Sequence, residues 1–382
     1  MPVFYFLWGY LIMSNKFMRY LAGAAILTIS GVASAQTSPS SPSTSTCASP
    51  LSSYAYYVGI GDIAQAQYIV SNHPQCFGGS VTSQATINAS TIAQSSAISN
   101  SLSNRLLSSS GPTQVASNGV TGMAAGAQLD KWNVWGNLTF NNTKVDYTNA
   151  GNGITKNSND IVTPIIGADY AISSTMVIGI SAAFDDGDGT GRTNNNASNS
   201  ISTSGYLIAP YFGMQLSKEL ALDASVGFGN GKLNVDDSIK SEADRLFGAL
   251  NLSYNQWFQN IQLTGKLGYL HAEEDYGNSK TNGTVNLYTK NKNKLDQFRA
   301  GVQVGYWMNG VMPYAGITFT TDDRSSSNIT VDEIGKNATL CTLGVNFFDL
   351  PNKATGGIAY SQEFGRTNSK NDSLMANINV RF

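Results

Sequence analysis

Histidine and cysteine are scarce in this chain, at two and three residues of 382. His73 and His271 stand at no ligand spacing from the cysteines, which excludes a zinc site. No Gly-x-Ser-x-Gly elbow occurs, and Ser71 and His73 share a loop with Asp62 well upstream, so no nucleophilic triad is laid out. No cofactor motif is present and no catalytic residue is expected. Charge is sparse too: 13% of residues are Asp, Glu, Lys or Arg, and the formal net charge is -2. Without a basic block, a nucleic-acid partner is excluded. Beyond the amino terminus there is no run of about 20 apolar residues, which argues against a helical membrane protein. The mean hydropathy of -0.14 suits a secreted β protein or a membrane barrel, in which only alternate residues need be apolar.

The amino terminus holds two short apolar runs, Val3 to Met13 and Tyr20 to Ala33. The second is laid out as a signal peptide. Lys16 and Arg19 form its positive region, "YLAGAAILTISGV" its apolar region, and Ala33-Ser34-Ala35 a small-residue cleavage site. Residues 1–35 are therefore expected to be removed, with Met13 the better start. A membrane hairpin of both runs is the lesser reading, because the two basic residues interrupt it. Export permits disulfides, and Cys47 with Cys76 is the expected pair. Cys341 stands alone in a strand.

Residues 36–82 read as a short Ser/Thr/Pro-rich passenger or linker. "QTSPSSPSTSTCASP" cannot build a core, and one helix is expected around Gly61 to Val70. Over residues 83–110 the pattern turns helical. Ala85, Ala89, Ala93 and Ala97 recur every four residues, with Ile98, Leu102 and Leu106 on the next stripe. Most other positions are Ser, Thr, Asn or Gln. So polar and slender a helix suits the inside of a narrow, wet tube.

From Trp132 onward the period becomes two. In "GYLIAPYFGMQLS" and "QFRAGVQVGYWM" one face is apolar and the other carries Gly, Gln and Arg. About twelve such segments occur, at barrel-spanning length. Tight turns (Ser173-Ser174, Lys218-Glu219, Gln259-Asn260, Asn309-Gly310, Pro351-Asn352) alternate with long polar loops near 148–159, 185–200, 230–242, 272–293, 321–336 and 365–371. Outer-membrane barrels have short periplasmic turns and longer outside loops. The chain closes on "SLMANINVRF", with Leu374, Ala376, Ile378, Val380 and Phe382 on one face. These patterns give an all-β fold: an antiparallel transmembrane β-barrel over residues 111–382, in the outer membrane of a Gram-negative bacterium.

The stretch "TPIIGADYAISSTMVIGISAAFDDGD" resembles the Gly-Ala-Asp-Tyr hairpin of the autotransporter (type V secretion) β-domain family. "SGYLIAPYFGMQLSKELALDASVGFGNGKLN" resembles the family's next hairpin, and "AISNSLSNRLL" the helix before the barrel. The terminal aromatic strand matches as well. The resemblance implies a twelve-stranded monomeric barrel with an α-helix threading its lumen to an exported passenger. It also implies a terminal strand that the barrel-assembly machinery reads, after delivery by the general secretory export apparatus. Only about 45 residues separate the cleavage site from the helix, unusually few for this family. Asn100-Ser101 and Asn104-Arg105 provide no Asn-Asn pair, so self-cleavage in the helix is not expected.

Strand parity directs Asp169, Asp223, Arg245, Lys266, Arg299 and Arg381 into the lumen, where Arg105 of the helix can pair with an acidic residue. Trp132, Trp135, Trp257 and Trp307 are expected in interfacial girdles, and Cys341 against lipid. His271, Glu273, Glu274 and Asp275, and "DDGDG" at 185–189, read as solvated loops rather than cation sites. Two functions follow. One is a translocator and anchor that displays its own short segment to an unknown surface ligand, with adhesion its role. The alternative is a small-solute channel or structural barrel plugged by its helix.

Overall fold

The structure, a computed structural model, describes residues 48–72, 81–107, 130–148, 154–193, 199–287, 289–326, 334–349 and 351–382. Residues 1–47, which include the signal-peptide expectation, lie outside the described residues. So do Cys47 and Cys76, and with them the expected disulfide. Three helices are described: α1 (Ala48–Gly59), α2 (Ile63–Asn72) and α3 (Val81–Leu106). Twelve barrel strands follow: β1 (Trp132–Thr148), β2 (Ile154–Ala171), β3 (Met176–Thr193), β4 (Asn199–Gln215), β5 (Leu220–Val235) and β6 (Ile239–Phe258), then β7 (Ile261–Tyr276), β8 (Asn291–Tyr306), β9 (Val311–Ser326), β10 (Asn337–Asp349), β11 (Ala354–Phe364) and β12 (Ser369–Arg381).

Each strand pairs antiparallel with its sequence neighbours. β12 returns to β1, from Asn133 opposite Arg381 to Val145 opposite Ser369. Trp132 and Phe382 exchange backbone hydrogen bonds of 2.9 and 3.0 Å across this seam. Closure leaves no raw edge in lipid, where an unsatisfied N–H or C=O is costly. At Asn309-Gly310 both residues take positive φ, 48° and 94°, as the tightest hairpin turn requires.

Period two sorts the faces. On β12 and the Phe382 that follows it, Leu374, Ile378, Val380 and Phe382 are exposed outward while Asn379 and Arg381 are buried inward. Ile166, Ile178, Phe228, Leu250, Phe298 and Val302 continue the outward apolar belt around the wall. In water such a belt would be an aggregation surface; against acyl chains it is the natural exterior. Cys341 is exposed on this outer face, with Leu343.

The strands outrun the loops expected from sequence. β6 has 20 residues, where about 9 to 11 suffice to cross a bilayer. Most of the polar stretches expected as loops are strand: β1 and β2 extend to Thr148 and Ile154, β3 to Thr193, and β5 and β6 to Val235 and Ile239. Above the lipid both faces meet water, so the apolar alternation fades while the backbone goes on pairing. Between Tyr276 and Asn291 the chain adds a two-residue strand pair, Lys280–Thr281 with Thr284–Val285.

Ahead of α3 there are two helices where one was expected. α1 begins inside the stretch read as linker, with Pro50 in its first turn, where its missing N–H costs nothing. Asp62 caps α2, its Oδ1 accepting from the Gln65 amide at 3.1 Å. Tyr54, Ala66, Ile69 and Val70 close the pair into a small apolar cluster of its own.

Candidate functional site: the lumen and its helix

α3 descends the lumen from the loop end to the short-turn end. Its partners run in that order, from Thr163 opposite Ser90 to Asp130 and Lys131 opposite Arg105. The tube is wider than the helix, not narrow. α3 therefore leans on the wall of β1 to β7 through Ile98, Leu102 and Leu106, all 2% exposed or less. The polar remainder of the helix is spent on the wall. Gln94 Nε2 donates to Ser181 Oγ at 3.1 Å, Ser99 to Asp223 at 2.9 Å, and Ser103 to Ser253 at 2.8 Å. In a wet lumen each such bond is worth only about 0.5–1.5 kcal/mol net, so the set holds the helix by number.

The strongest contact is at the lower end. The Arg105 guanidinium pairs with the Asp169 carboxylate, both side chains 1% exposed or less. Its other edge donates to the Asp130 carbonyl at 2.5 Å and to Lys131 at 3.1 Å. Asp169 also accepts from Asn133 at 3.0 Å and from the Tyr211 hydroxyl at 3.1 Å, and that hydroxyl accepts from Trp135 Nε1 at 2.8 Å. Gly167 makes this possible: a Cβ there would fall inside the Trp135 indole. So the "GAD" of residues 167–169 works as a unit, with Gly167 clearing a bed for the indole and Asp169 receiving the helix. Arg381 of β12 donates to the Asn104 carbonyl at 2.8 Å. Two cations thus meet the negative end of the helix dipole.

The remaining lumen residues expected from parity also face inward. Lys266 donates to Asn100 of the helix, and Arg299 to Ser96 at 2.7 Å. Asp223 is held by Ser99 and Asn251. Arg245 bonds to the wall instead. It reaches Asp185 on β3 at 2.5 Å and Glu274 on β7 at 3.0 Å, lying flat over Gly205 and Gly231, where any Cβ would strike it.

Several expectations are corrected. Of the four tryptophans, only Trp132 faces outward. Trp135 and Trp307 are 3% and 7% exposed, and Trp257 packs edge-on to Trp307 inside the short-turn end. Asp185 and Glu274 are strand residues, and both are absorbed by Arg245. Glu273, on the opposite face of β7, lies past Tyr269, where the apolar belt of that strand ends, and so stands outside the bilayer. It takes hydrogen bonds from Lys292 and Lys294, which hold its carboxyl down at about 2. Among the described residues no group of His, Cys, Asp and Glu is placed to hold a metal. A second buried network went unforeseen: Arg366 joins Asp322 at 2.8 Å and Glu363 at 2.8 Å near the loop end.

A closed twelve-stranded barrel with a helix pinned in its lumen defines the class, an outer-membrane translocator barrel. The sequence matches the autotransporter β-domain over residues 134–360, and the chain belongs to that family. Its fold is similar to the translocator domain of autotransporter NalP from Neisseria meningitidis, at TM-score 0.51 and 14% identity, covering 77% of this chain and 100% of that one. The transport unit of autotransporter AIDA-I from Escherichia coli is similar at TM-score 0.52 and 14% identity, covering 71% and 96%. The β domain of the Bordetella autotransporter BrkA follows at 0.50 and 11%, covering 66% and 100%. No curated protein matches this sequence. The barrel resides in the outer membrane, and the β-domain of this family is itself non-enzymatic.

Proposed function

We propose that this barrel exports and anchors its own short amino-terminal segment, residues 36–82, and holds it at the cell surface as an adhesive module. One observation carries the reading: α1 meets the barrel at its loop end. The Tyr54 hydroxyl donates to the Leu287 carbonyl in the long β7–β8 connection. Leu51 packs on the apolar cluster of Ile201, Leu233, Val235 and Ile239, where β4, β5 and β6 end. Loop ends of outer-membrane barrels face outward. The α1–α2 pair therefore stands on the outer side of the membrane, connected through α3 to β1 at the periplasmic side. Tyr56, Ile60 and Tyr68 are 58–63% exposed on this pair and offer the face for a surface ligand. Leu374, Ala376, Ile378, Val380 and Phe382 serve as the terminal sequence that the barrel-assembly machinery reads.

Protease shaving of intact cells, with an epitope tag inserted near Thr44, tests the proposal. Loss of the tag while the barrel stays heat-modifiable in the membrane fraction supports display. Protection until the outer membrane is permeabilised would place the segment in the periplasm and overturn it.

A further inference from the structure

Because α3 leans on β1 to β7, it meets the opposite wall only through long or polar side chains such as Arg299 and Arg381. A cavity of about 410 Å³ lies between the helix and the wall that runs from β6 and β7 through β12 to β1. It runs from Trp307 and Arg381 at the short-turn end to Asn371 and Glu363 toward the loop end. On β12 alone, Arg381 to Asn371 is about 33 Å of strand, which at barrel tilt is close to the bilayer core.

The walls of this passage mix apolar side chains, among them Trp307, Met312, Leu340 and Phe348, with polar ones, and they are unevenly charged. Gln297, Gln303, Thr318, Thr342 and Asn377 line it with amides and hydroxyls. Three cations line it as well: Lys266, Arg299 and Arg381. Glu363 is the carboxylate among the lining residues, and Arg366 holds it at 2.8 Å. Asp223 lies outside the lining, closed by Ser99 and Asn251, but near enough to Lys266 and Arg299 to offset part of their charge. Lys266 and Arg299 donate to neutral groups of the helix, and among the described residues neither belongs to an ion pair. They stand on neighbouring strands at nearly one level, since Lys266 is opposite Gly301 and Gly268 opposite Arg299.

We propose that the barrel passes small inorganic anions along this off-axis passage while the helix stays seated. Cationic side chains in a hydrated constriction select anions, as lysine and arginine rings do in anion pores. The preference over potassium should be about thirtyfold, since one unit charge about 4 Å away in water enriches an anion about fivefold and depletes a cation by the same factor. This activity requires the barrel and its seated helix but not surface display of residues 36–82, so the two proposals fail separately.

The test is reversal potential in planar bilayers across a KCl gradient, using the full chain. The helix is first locked to the wall by a disulfide from Ser90→Cys and Thr163→Cys, whose hydroxyls lie 3.4 Å apart. The locked barrel should conduct and prefer chloride, and Lys266→Gln with Arg299→Gln should lower the ratio several-fold, leaving the share that Arg381 supplies. Gln303→Glu, which leaves the cations in place, should shift it toward potassium and covers the case of a double variant that fails to assemble. A locked barrel that does not conduct, that prefers potassium, or that ignores both sets of substitutions would overturn the proposal.

Discussion

Arg105 of the lumen helix and Asp169 of β2 form an ion pair closed from solvent on every side. Asn133 and Tyr211 complete the carboxylate, and two backbone carbonyls complete the guanidinium. Removing one partner strands a buried charge, which typically costs about 3–5 kcal/mol. Arg105→Ala and Asp169→Ala should each loosen the helix, and the double variant should be less damaged than the sum. A double-mutant cycle on helix protection from protease in purified barrels measures this. Additive effects would mean that the pair does not hold the helix.

Gly167 sits under the Trp135 indole with no room for a side chain. Gly167→Ala should displace the ring, break its bond to Tyr211 and so unseat the support of Asp169. Overpacking of this kind costs about 1–3 kcal/mol. A lowered unfolding temperature with a shifted tryptophan emission is the expected readout. At Gly248, where a Cβ meets open space, the same change should be nearly silent.

These two sites show what the sequence could and could not reveal. The barrel was legible because lipid imposes a strict period: Phe298, Ala300, Val302 and Val304 alternate with Arg299, Gly301 and Gln303 without a slip. Inward charges were legible for the same reason. Their partners were not, because a partner lies across strands far apart in the chain, as Arg245 does from Asp185 and Glu274. Trp135 was legible in principle. It shares parity with Asn133, Asn137 and Thr139, which outweighs the general preference of tryptophan for the interface. The strand extensions above the membrane carry no apolar period, so they read as loops. α1 was hidden because its packing faces depend on the barrel's loop end as well as on α2.

Glu273 is held down at about 2 by hydrogen bonds from Lys292 and then Lys294, against an ordinary value of 4.5. A depressed carboxylate stabilises the fold fully above its ordinary value and loses that contribution as pH falls through the folded one. The loop end of β7 and β8 should therefore loosen between pH 4.5 and about 2, seen as faster amide exchange there. Glu273→Gln should remove this dependence in that window. An unchanged exchange profile in the variant would show that other carboxylates govern the region.

Phe382 closes the seam with Trp132 and points its ring outward, 62% exposed. Its backbone bonds survive substitution, so Phe382→Ala should spare the finished barrel but lower its yield. The expected result is a several-fold loss of heat-modifiable protein in the outer membrane, with unchanged unfolding of what does assemble. Equal loss of stability would assign Phe382 to packing rather than to recognition during assembly.

The central claim is that α1 and α2 stand outside the cell while the tight turns face the periplasm. Tyr68 on α2 is 63% exposed, and Ser174 lies in the turn between β2 and β3. With Cys47, Cys76 and Cys341 replaced by serine, Tyr68→Cys and Ser174→Cys can each be probed on intact cells with a membrane-impermeant maleimide. The account predicts labelling at position 68 on intact cells and at 174 only after the outer membrane is opened. Labelling at 68 that also waits for permeabilisation would contradict it.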